Sequence, residues 1–348
     1  MKILAVGDSF VTTDMFRQGL AELAQSNHIE YIDLDMDAPF EPSSRSDAVL
    51  REYAGDPQQL VHALDDQEVL LVHGAPVTDV VLDASPRLRI VGVARGGPVN
   101  VDLDAASERG ISVLTAPGRN ADAVADLTLA FMIMLARGVV SSVAFVTSGG
   151  RVGESAFEGA RFFGHELGGH TLGLVGYGNV GARVAQRARS FGLKMLVYDP
   201  YVSSVSEPDV TLTGLDELLE RSDFVSLHTR VTPETENFFD AEKFARIKPG
   251  AFFLNTARET LLDESALYDS LVSGRVAGAA LDVVRPRPHG SPNPLLDLPN
   301  VIIAPHIGGA TFEAALRGVT ILAKQLEQFI DGQPMSYVAN QVAVGGQR

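Results

Sequence analysis

The stretch from residue 171 to residue 199 has the pattern of a strand, a glycine-rich turn, a helix and a second strand. The apolar run 172–175 is followed by Gly176, Gly178 and Gly181, and an alanine-containing helical stretch then leads to an apolar run that ends at Asp199. Such a glycine pattern is weak evidence alone, but here it follows a strand and opens a helix. The stretch therefore predicts a β-α-β unit that binds the phosphates of a dinucleotide on the free N–H groups of the helix N-terminus.

The residue types within this unit also predict which dinucleotide binds. Gly176 permits the tight turn, Gly178 lets the backbone approach a pyrophosphate, and Gly181 lets the helix pack closely on the strand. The carboxylate of Asp199 can accept hydrogen bonds from both ribose hydroxyls and would repel a 2′-phosphate. No Arg or Lys occupies positions 200–203. NAD, rather than NADP, is the predicted cofactor.

Composition and charge exclude several other classes. The chain of 348 residues is long enough for two domains, and its formal net charge of −16 argues against a nucleic-acid partner. There is no cysteine, so disulfides, thiolate catalysis and cysteine-ligated metals are excluded, and no metal site is predicted. The apolar N-terminal run predicts a strand, not a signal peptide, and the apolar run 127–136 is well short of the roughly 20 residues that a bilayer requires. We expect a cytoplasmic protein with no membrane partner.

The order of predicted elements indicates an α/β protein with two Rossmann-like domains, one flavodoxin-like and one NAD-binding, each with a parallel sheet. Strands are predicted at 2–6, 68–72, 88–93 and 112–114, with helices at 14–24 and 46–53, and then at 172–175, 194–198, 224–227, 251–255, 278–283 and 301–304. A helix over 120–137 and a glycine-rich loop over 148–169 separate the two series. The last helix, 312–330, has no further strand to pair with in the second sheet. We therefore expect an NAD-binding domain, 120–308, inserted in a discontinuous substrate domain made of 1–119 and 309–348.

Several further segments follow in a recognisable order and spacing. They are Pro117-Gly118-Arg119-Asn120-Ala121, Ser222-Asp223-Phe224-Val225-Ser226-Leu227-His228, Asn255-Thr256-Ala257-Arg258, Ala280-Leu281-Asp282-Val283 and Ala304-Pro305-His306-Ile307-Gly308-Gly309. Over residues 40–340 the chain resembles the D-2-hydroxyacid dehydrogenase family, which includes phosphoglycerate, glyoxylate and D-lactate dehydrogenases. The resemblance implies an NAD-dependent oxidoreductase that transfers a hydride between nicotinamide and C2 of a small D-2-hydroxy acid or 2-oxo acid.

The residues themselves agree with that chemistry. Arg258, Asp282 and His306 each follow a predicted strand, where ligands bind in open α/β sheets. His306 can accept or donate a proton near neutral pH, and the fork of Arg258 suits a carboxylate. The resemblance implies these two roles and assigns Asp282 to the nicotinamide carboxamide. The cofactor-binding residues predicted in this way are Gly176, Tyr177, Gly178, Asn179, Val180, Gly181, Asp199, His228, Thr229, Thr256, Ala257, Arg258, Asp282, His306, Gly308 and Gly309.

Arg287 departs from the family pattern. The resemblance implies a Glu that hydrogen-bonds the imidazole, nineteen residues before the histidine, and Arg287 stands there instead. If it points at His306, it would disfavour the imidazolium and favour oxidation of the hydroxy acid. If it points into the cleft, it offers an anion site for a phosphate, a phosphonate or a second carboxylate. If it is turned to solvent, water or another acid such as Glu259 contacts the histidine. Arg287 is included among the candidate catalytic residues.

The substrate loops predicted in the first domain also differ from the family. Where relatives have an Arg-Ser-x-Thr loop, this chain has His73-Gly74-Ala75-Pro76, and the backbone N–H groups of Gly74 and Ala75 are candidate anion-binding groups. The neighbouring loop, 94–102, is two residues shorter than the family form and adds Arg95. The predicted substrate-binding residues are Gly74, Ala75, Arg95, Gly96, Gly97 and Asn120, the last at a domain hinge.

Two other functions stay open from the sequence. One is an NAD(H)-binding regulator of the corepressor type without significant turnover, which the missing acid at position 287 favours and the Arg258 and His306 pair opposes. The other, a dehydrogenase for formate or another donor, is less favoured because those relatives do not carry an arginine at position 287. The expected partners are a small anionic substrate and a second copy of the chain, because the regions 127–136 and 148–169 pair subunits in the family. No regulatory domain is expected after residue 348.

Overall fold

The computed structural model describes residues 1–150, 153, 157–288 and 291–340. Within this part of the chain there are twelve helices and twelve strands. The strands are β1 (Lys2–Gly7), β2 (His28–Asp33), β3 (Val69–Val72), β4 (Ile90–Val93), β5 (Ser112–Leu114), β6 (Thr171–Val175), β7 (Lys194–Tyr198), β8 (Val210–Leu212), β9 (Phe224–Leu227), β10 (Ala251–Asn255), β11 (Val276–Leu281) and β12 (Val301–Ile303). The helices are α1 (Thr13–Gly19), α2 (Arg45–Ala48), α3 (Gln58–Leu64), α4 (Asp79–Leu82), α5 (Leu103–Glu108), α6 (Ala121–Ala136), α7 (Val139–Thr147), α8 (Asn179–Ser190), α9 (Leu215–Arg221), α10 (Ala241–Arg246), α11 (Glu264–Val272) and α12 (Phe312–Ile330).

The chain forms two compact units. Unit 1 consists of Met1–Asn120 together with the chain from Ala310 onward, and unit 2 is Ala121–Gly309. Each unit contains a parallel sheet with helices between its strands, which confirms the predicted α/β class. Part of the predicted loop 148–169 lies outside the described residues, and a short 3₁₀ segment, Glu158–Phe162, forms within it.

Unit 1 has a five-stranded parallel sheet in the order β2-β1-β3-β4-β5. Strands β3 and β4 are buried along their whole length, as expected for strands covered on both faces. The sequence reasoning missed β2, because this edge strand is half exposed and has no continuous apolar run. Helix α12 belongs to this unit and packs on α1, where a Cβ added to Gly19 would lie 2.6 Å from the side chain of Val319.

Unit 2 has a seven-stranded sheet in the order β12-β11-β10-β9-β6-β7-β8, and all of its pairings are parallel. The six strands expected from the sequence are present, and β8 is an additional three-residue strand at the edge. Strand β6 lies between β9 and β7, so the strand order reverses at β6. This reversal places the carboxyl end of β6 at the position where open α/β sheets bind ligands.

Among the described helices, none is by itself long and apolar enough to cross a membrane. Helices α6 and α7 meet the length and composition criteria only when taken together, and they are bent by 66° at the break between them.

Candidate functional site

The turn after β6 depends on Gly176. Its φ is +102°, and an added Cβ would lie 2.7 Å from the carbonyl carbon and oxygen of His228. Only glycine therefore allows β6 to turn this close to the end of β9. Gly181, in the first turn of α8, would bring a Cβ within 2.2 Å of the Gly176 carbonyl oxygen, so a side chain there would push the helix off the turn.

The N-terminus of α8 forms an open cradle. Gly178 precedes the helix and is exposed, and a Cβ added there would meet no described atom within 4 Å. The N–H groups of a first helical turn have no partner within the helix, and the helix dipole adds positive potential at this end. These residues fit the pyrophosphate of NAD, which Gly178, Asn179 and Val180 would hold.

Asp199 follows β7 and faces the glycine turn. Its Oδ2 accepts a hydrogen bond of 2.8 Å from the Tyr177 N–H, and its Oδ1 accepts one of 2.9 Å from the Tyr201 N–H. Because each carboxylate oxygen can accept more than one hydrogen bond, Asp199 keeps capacity for ribose hydroxyls while it fixes the turn. The carboxylate therefore fits a non-phosphorylated ribose.

His228 ends β9 beside the same turn, and Thr229 follows it. The His228 N–H donates to the Val175 carbonyl at 2.8 Å, and its Nε2 lies 2.9 Å from the Ser226 hydroxyl. Burial lowers the pKa of His228 to about 3. The imidazole is therefore neutral near neutral pH and supports the turn without adding charge.

This shifted pKa predicts a loss of stability in mild acid. The folded-state pKa of about 3 lies below the unfolded value of 6.5, so between these pH values the unfolded chain binds the extra proton. The free energy of unfolding should therefore fall as the pH drops from 6.5 toward 3, and by about 2 kcal/mol at pH ~5. Denaturant titrations of wild type and His228→Gln at pH ~7.5 and ~5 measure this fall in the free energy of unfolding.

Between these pH values His228→Gln should lose about 2 kcal/mol less stability than wild type. An equal loss in both proteins would refute the attribution of the effect to His228. His62→Gln, at an exposed histidine, is the matched control.

Asn255 shapes the loop that carries Arg258. The side-chain amide of Asn255 is buried. It donates a hydrogen bond of 2.8 Å to the Arg258 carbonyl and accepts one of 3.0 Å from the Ala257 N–H. These two bonds fix the backbone of the loop that follows β10. The Thr256 hydroxyl lies 3.1 Å from that of Thr128 on α6. This loop leaves the Arg258 side chain exposed, with its Nη1 donating 2.8 Å to the Ala257 carbonyl.

Asp282 holds the loop that carries His306. Its carboxylate is only 2% exposed and accepts the N–H groups of Ile307 and Gly308, each at 2.8 Å, while its carbonyl accepts the His306 N–H at 2.9 Å. A Cβ on Gly308 would lie 2.7 Å from Asp282 Oδ2, so that close approach requires glycine. Gly309 ends unit 2 directly after this loop. The sequence reasoning assigned Asp282 to the cofactor and missed this positioning role.

His306 itself has an unusual backbone. Its φ is +56°, in the left-handed region that non-glycine residues seldom occupy, and its side chain is exposed. Such a conformation costs about 1–3 kcal/mol and persists only where neighbouring contacts enforce it. The three bonds to Asp282 supply that constraint, so the imidazole is presented on a rigid loop.

The structure brings the three candidate residues to one edge of the unit 2 sheet. Strands β10, β11 and β12 are adjacent, with Asn255 opposite Leu281 and Leu281 opposite Ile303. Arg258, Asp282 and His306 follow the carboxyl ends of these three strands. A cation and an imidazole therefore emerge from the same sheet edge as the glycine turn, since all strands of this sheet are parallel.

Comparison with known proteins agrees with this geometry. Residues 129–308 match the family model described as "D-isomer specific 2-hydroxyacid dehydrogenase, NAD binding domain". The chain belongs to the D-2-hydroxyacid dehydrogenase family. It is 37% identical over 287 residues to the D-3-phosphoglycerate dehydrogenase of Methanocaldococcus jannaschii, covering 81% of this chain and 53% of that protein. It is also 35% identical to the glyoxylate reductase of Korarchaeum cryptofilum, with 96% of each chain covered.

A solved structure of D-2-hydroxyisocaproate dehydrogenase matches with a TM-score of 0.81 and 25% identity, covering 98% of this chain and 100% of that one. The chain spans about half the length of the phosphoglycerate dehydrogenases that it matches, 53% in one case and 54% in another. Its NAD-binding domain is nevertheless that of the family.

Arg287, the departure from the family pattern, lies in an ion pair. Its Nη2 is 2.9 Å from Oε2 of Glu264, whose side chain is 7% exposed against 35% for the arginine. Glu264 Oε1 also accepts the Arg285 N–H at 2.6 Å. None of the three interpretations of Arg287 includes this pair. The sequence shows an acid, Glu264, at the start of α11, but its proximity to Arg287 depends on the fold of the loop that follows β11.

This pair predicts the effect of restoring an acid at position 287. Arg287→Glu would place a second carboxylate against the buried Glu264 and should lower the free energy of unfolding by about 2–3 kcal/mol, whereas Arg287→Gln should cost about 1 kcal/mol. Denaturant titration measures both, with Arg109→Glu as the control, because the Arg109 and Asp83 pair is more exposed. If Arg287→Glu keeps wild-type stability and changes only the affinity for doubly anionic substrates, the ion pair is not its role.

His306 has no acid partner among the residues that the structure describes. No hydrogen bond or ion pair joins its ring to Arg287 or to Glu259, the two residues considered from the sequence. The ring is exposed, so water can reach it. Within this part of the chain, the histidine that the sequence predicts as the proton-transfer group has no carboxylate partner.

The substrate residues predicted in unit 1 divide into two groups. The Gly74 N–H donates 2.8 Å to Asp8 Oδ2, so it is not free to bind an anion, contrary to the prediction. Ala75 is buried, and its carbonyl accepts the Asn100 amide at 2.7 Å. The guanidinium of Arg95 is bound by the side chain and carbonyl of Glu52. The other predicted residues have free space around them. A Cβ added to Gly96 would lie 3.7 Å from the nearest atom, and one added to Gly97 would meet nothing within 4 Å. Asn120, at the end of the first segment of unit 1, is partly exposed.

Proposed function

We propose that this chain is an NAD-dependent oxidoreductase that transfers a hydride between nicotinamide and C2 of a small D-2-hydroxy acid or 2-oxo acid. The observation that carries the proposal is the common edge of the unit 2 sheet, where the open glycine turn, Arg258 and His306 all follow strand ends. A dinucleotide site alone would serve many functions. A guanidinium and a rigidly held imidazole beside it supply the two groups that an acid substrate with a reacting hydroxyl needs.

Arg258 would bind the carboxylate of the substrate. A guanidinium presents paired N–H donors that match a carboxylate, and the Arg258 side chain is exposed at the end of β10. Its anchoring to the Ala257 carbonyl limits the positions it can take. The same cation would stabilise negative charge on the oxygen at C2 when a 2-oxo acid is reduced.

His306 would move the proton. When bound, NAD accepts or supplies the hydride, and the oxygen on C2 must lose or gain a proton at the same stage. The imidazole of His306 can serve as base for the hydroxy acid and as acid for the oxo acid. The loop held by Asp282 keeps that ring in place, which reduces the reorganisation needed for proton transfer.

Unit 1 is proposed to bind the substrate, and unit 2 the cofactor. The carboxyl ends of the unit 1 strands carry the residues considered for the substrate, Gly96, Gly97 and Asn120 among them. The second anion site considered at Arg287 loses support, because that guanidinium is bound to Glu264. The relatives named phosphoglycerate dehydrogenase, glyoxylate reductase and hydroxypyruvate reductase support small 2-hydroxy and 2-oxo acids as the substrate class. The comparisons lend no support to the corepressor alternative.

The test is an absorbance assay of NADH and NADPH oxidation with glyoxylate, hydroxypyruvate, 3-phosphohydroxypyruvate and oxaloacetate. We expect turnover with at least one of them and a clear preference for NADH, because Asp199 disfavours the 2′-phosphate. Binding of NADH with neither turnover of any 2-oxo acid nor oxidation of any hydroxy acid would contradict the proposal.

We also propose that the chain forms a homodimer through α7. Val140, Val143 and Val146 of this helix are between 45% and 56% exposed, although they are apolar. The part of α6 predicted to pair subunits is instead mostly in the core of unit 2, with Leu129, Phe131 and Met132 buried. An exposed row of apolar side chains is typical of an interface. Sedimentation equilibrium measures the oligomeric state, and we expect a dimer. A monomer at micromolar concentration would refute the proposal.

We further propose the cytoplasm as its location, with which the lack of cysteine is compatible. Recovery of the protein in a secreted or membrane fraction would refute it.

A further inference from the structure

Three polar residues of unit 1 meet where its strand order reverses. Strand β1 lies between β2 and β3, and Asp8 and His73 follow the carboxyl ends of β1 and β3. In open parallel sheets of this order, ligands bind at the reversal point between these two strands. Arg119 belongs to the same unit and reaches His73 from the chain after β5.

The three side chains form a directed chain of hydrogen bonds. His73 Nδ1 lies 2.9 Å from Asp8 Oδ2, and Arg119 Nη2 lies 3.2 Å from His73 Nε2. Because a guanidinium can only donate, Nε2 must be the acceptor, and the ring proton therefore lies on Nδ1 and is donated to Asp8. Asp8 is fixed in turn by the N–H groups of Phe10, Val11 and Gly74, each at 2.8 Å. These hydrogen bonds hold the Arg119 guanidinium in one orientation.

Arg119 is a buried cation without an acid partner among the described residues. It is 8% exposed, and its only hydrogen-bond acceptors there are His73 and, at 3.3 Å, the Ala314 carbonyl. A guanidinium has further N–H donors, and the described residues offer these donors no other acceptor. Burial lowers the pKa of Arg119 to about 10, with the charge of Arg95 as the next cause and the charge of Asp8, across the His73 ring, acting in the opposite direction, so the group stays protonated near neutral pH. A bound anion would accept hydrogen bonds from the remaining donors directly.

A glycine on α12 leaves space for the Arg119 side chain. Gly318 lies in the middle of α12, where glycine is less favourable than alanine. A Cβ there would lie 2.9 Å from Arg119 Cδ and 2.7 Å from the Ala94 carbonyl oxygen. Arg317, on the same helix, donates 2.6 Å to the Arg119 carbonyl and fixes its backbone.

We propose that Arg119 is the anion-binding residue of unit 1, that it takes an oxyanion of the substrate, and that Asp8 and His73 are its positioning residues. This inference rests on the proposed function for the identity of the ligand as substrate, but not for the anion site itself. Arg95, the cation expected from the sequence, is a weaker candidate because Glu52 already binds it. The oxyanion is a carboxylate or a phosphate, which share the negative charge and the paired oxygens that a guanidinium recognises.

The test is isothermal titration of the full chain with oxalate and, separately, with inorganic phosphate. We expect Arg119→Gln to weaken binding of the preferred anion at least about ten-fold, and Arg109→Gln, which removes the same charge from a surface pair of unit 1, to change it less than about two-fold. Stronger binding of oxalate than of phosphate identifies a carboxylate site, and the reverse order identifies a phosphate site. The inference is overturned if wild type binds neither anion at millimolar concentration, or if Arg119→Gln binds both as wild type does.

The positioning role is tested by substitutions that mimic one ring nitrogen each. His73→Gln places an amide oxygen near the Nε2 position, where it can still accept a hydrogen bond from Arg119, whereas the shorter side chain of His73→Asn cannot reach the guanidinium. We expect His73→Asn to weaken anion binding more than His73→Gln does. Equal loss in both variants would indicate a merely structural role and overturn this part of the inference.

A separate readout distinguishes this inference from the proposed function. Fluorescence titration with NADH should give the wild-type Kd for Arg119→Gln, because all the proposed cofactor residues lie in unit 2. If the protein turns over no substrate but loses anion binding on Arg119→Gln, the site stands and the proposed function fails. If turnover occurs with an unchanged KM for the 2-oxo acid in Arg119→Gln, the proposed function stands and the inference fails.

Discussion

Arg258→Gln is expected to lower kcat/KM for the best 2-oxo acid by about three orders of magnitude, which corresponds to about 4 kcal/mol of transition-state stabilisation. The guanidinium is proposed both to bind the carboxylate and to face the oxygen where negative charge develops, so both KM and kcat should worsen. Glutamine keeps one N–H donor group but loses the charge and the fork. Steady-state kinetics with varied 2-oxo acid at saturating NADH measures the effect.

The control for this prediction removes an arginine charge elsewhere in unit 2. Arg246 forms exposed pairs with Asp216 and Glu242, and Arg246→Gln should leave kcat/KM within about two-fold of wild type. NADH binding by Arg258→Gln, measured by fluorescence, should also stay near wild type. A drop of less than ten-fold in kcat/KM with intact binding would show that Arg258 is not the substrate cation.

His306→Asn should lower kcat in both reaction directions by a factor of about 10² to 10⁴, the usual contribution of a general acid or base. Asparagine is the better test residue, because His306 has a φ of +56° and asparagine tolerates that region more readily than most side chains. The backbone bonds to Asp282 can then persist, so the melting temperature should change little. The assay is kcat against pH for 2-oxo acid reduction and for hydroxy acid oxidation.

The pH profile separates proton transfer from a structural effect. Loss of the imidazole should change how kcat depends on pH, whereas a merely loosened loop should lower kcat and leave that dependence unchanged. A variant that keeps more than about a tenth of the wild-type kcat at every pH would contradict the role of His306.

Much of this architecture could be predicted where local sequence determines structure. The turn at Gly176 and the helix after it follow from a buried strand, glycine spacing and helix-forming residues that are adjacent in the chain. Helix α12 was expected over the same residues that form it, because its apolar face repeats with helical period. The edge strands β2 and β8 were missed, since they are short or half exposed and pair only because a neighbour offers hydrogen bonds.

The contacts that arrange the candidate site depend on tertiary structure. Asp282 and the loop at His306 are far apart in sequence, and only the packing of β11 against β12 joins them. The same holds for Arg287 with Glu264, where the expected role of the arginine was replaced by an ion pair. The chain of Asp8, His73 and Arg119 joins three separate segments. No local pattern marks such groups before the fold brings them together.

The central claim is hydride transfer at C2, and isotope transfer tests it most directly. The protein is incubated with NADH that carries deuterium at C4 of the nicotinamide and with hydroxypyruvate or the best 2-oxo acid of the panel, and the product is analysed by chiral chromatography and mass spectrometry. The proposed function predicts a D-2-hydroxy acid with deuterium at C2, and loss of this product in Arg258→Gln. An L-product, deuterium only in the solvent, or no product from a protein that binds NADH would contradict it.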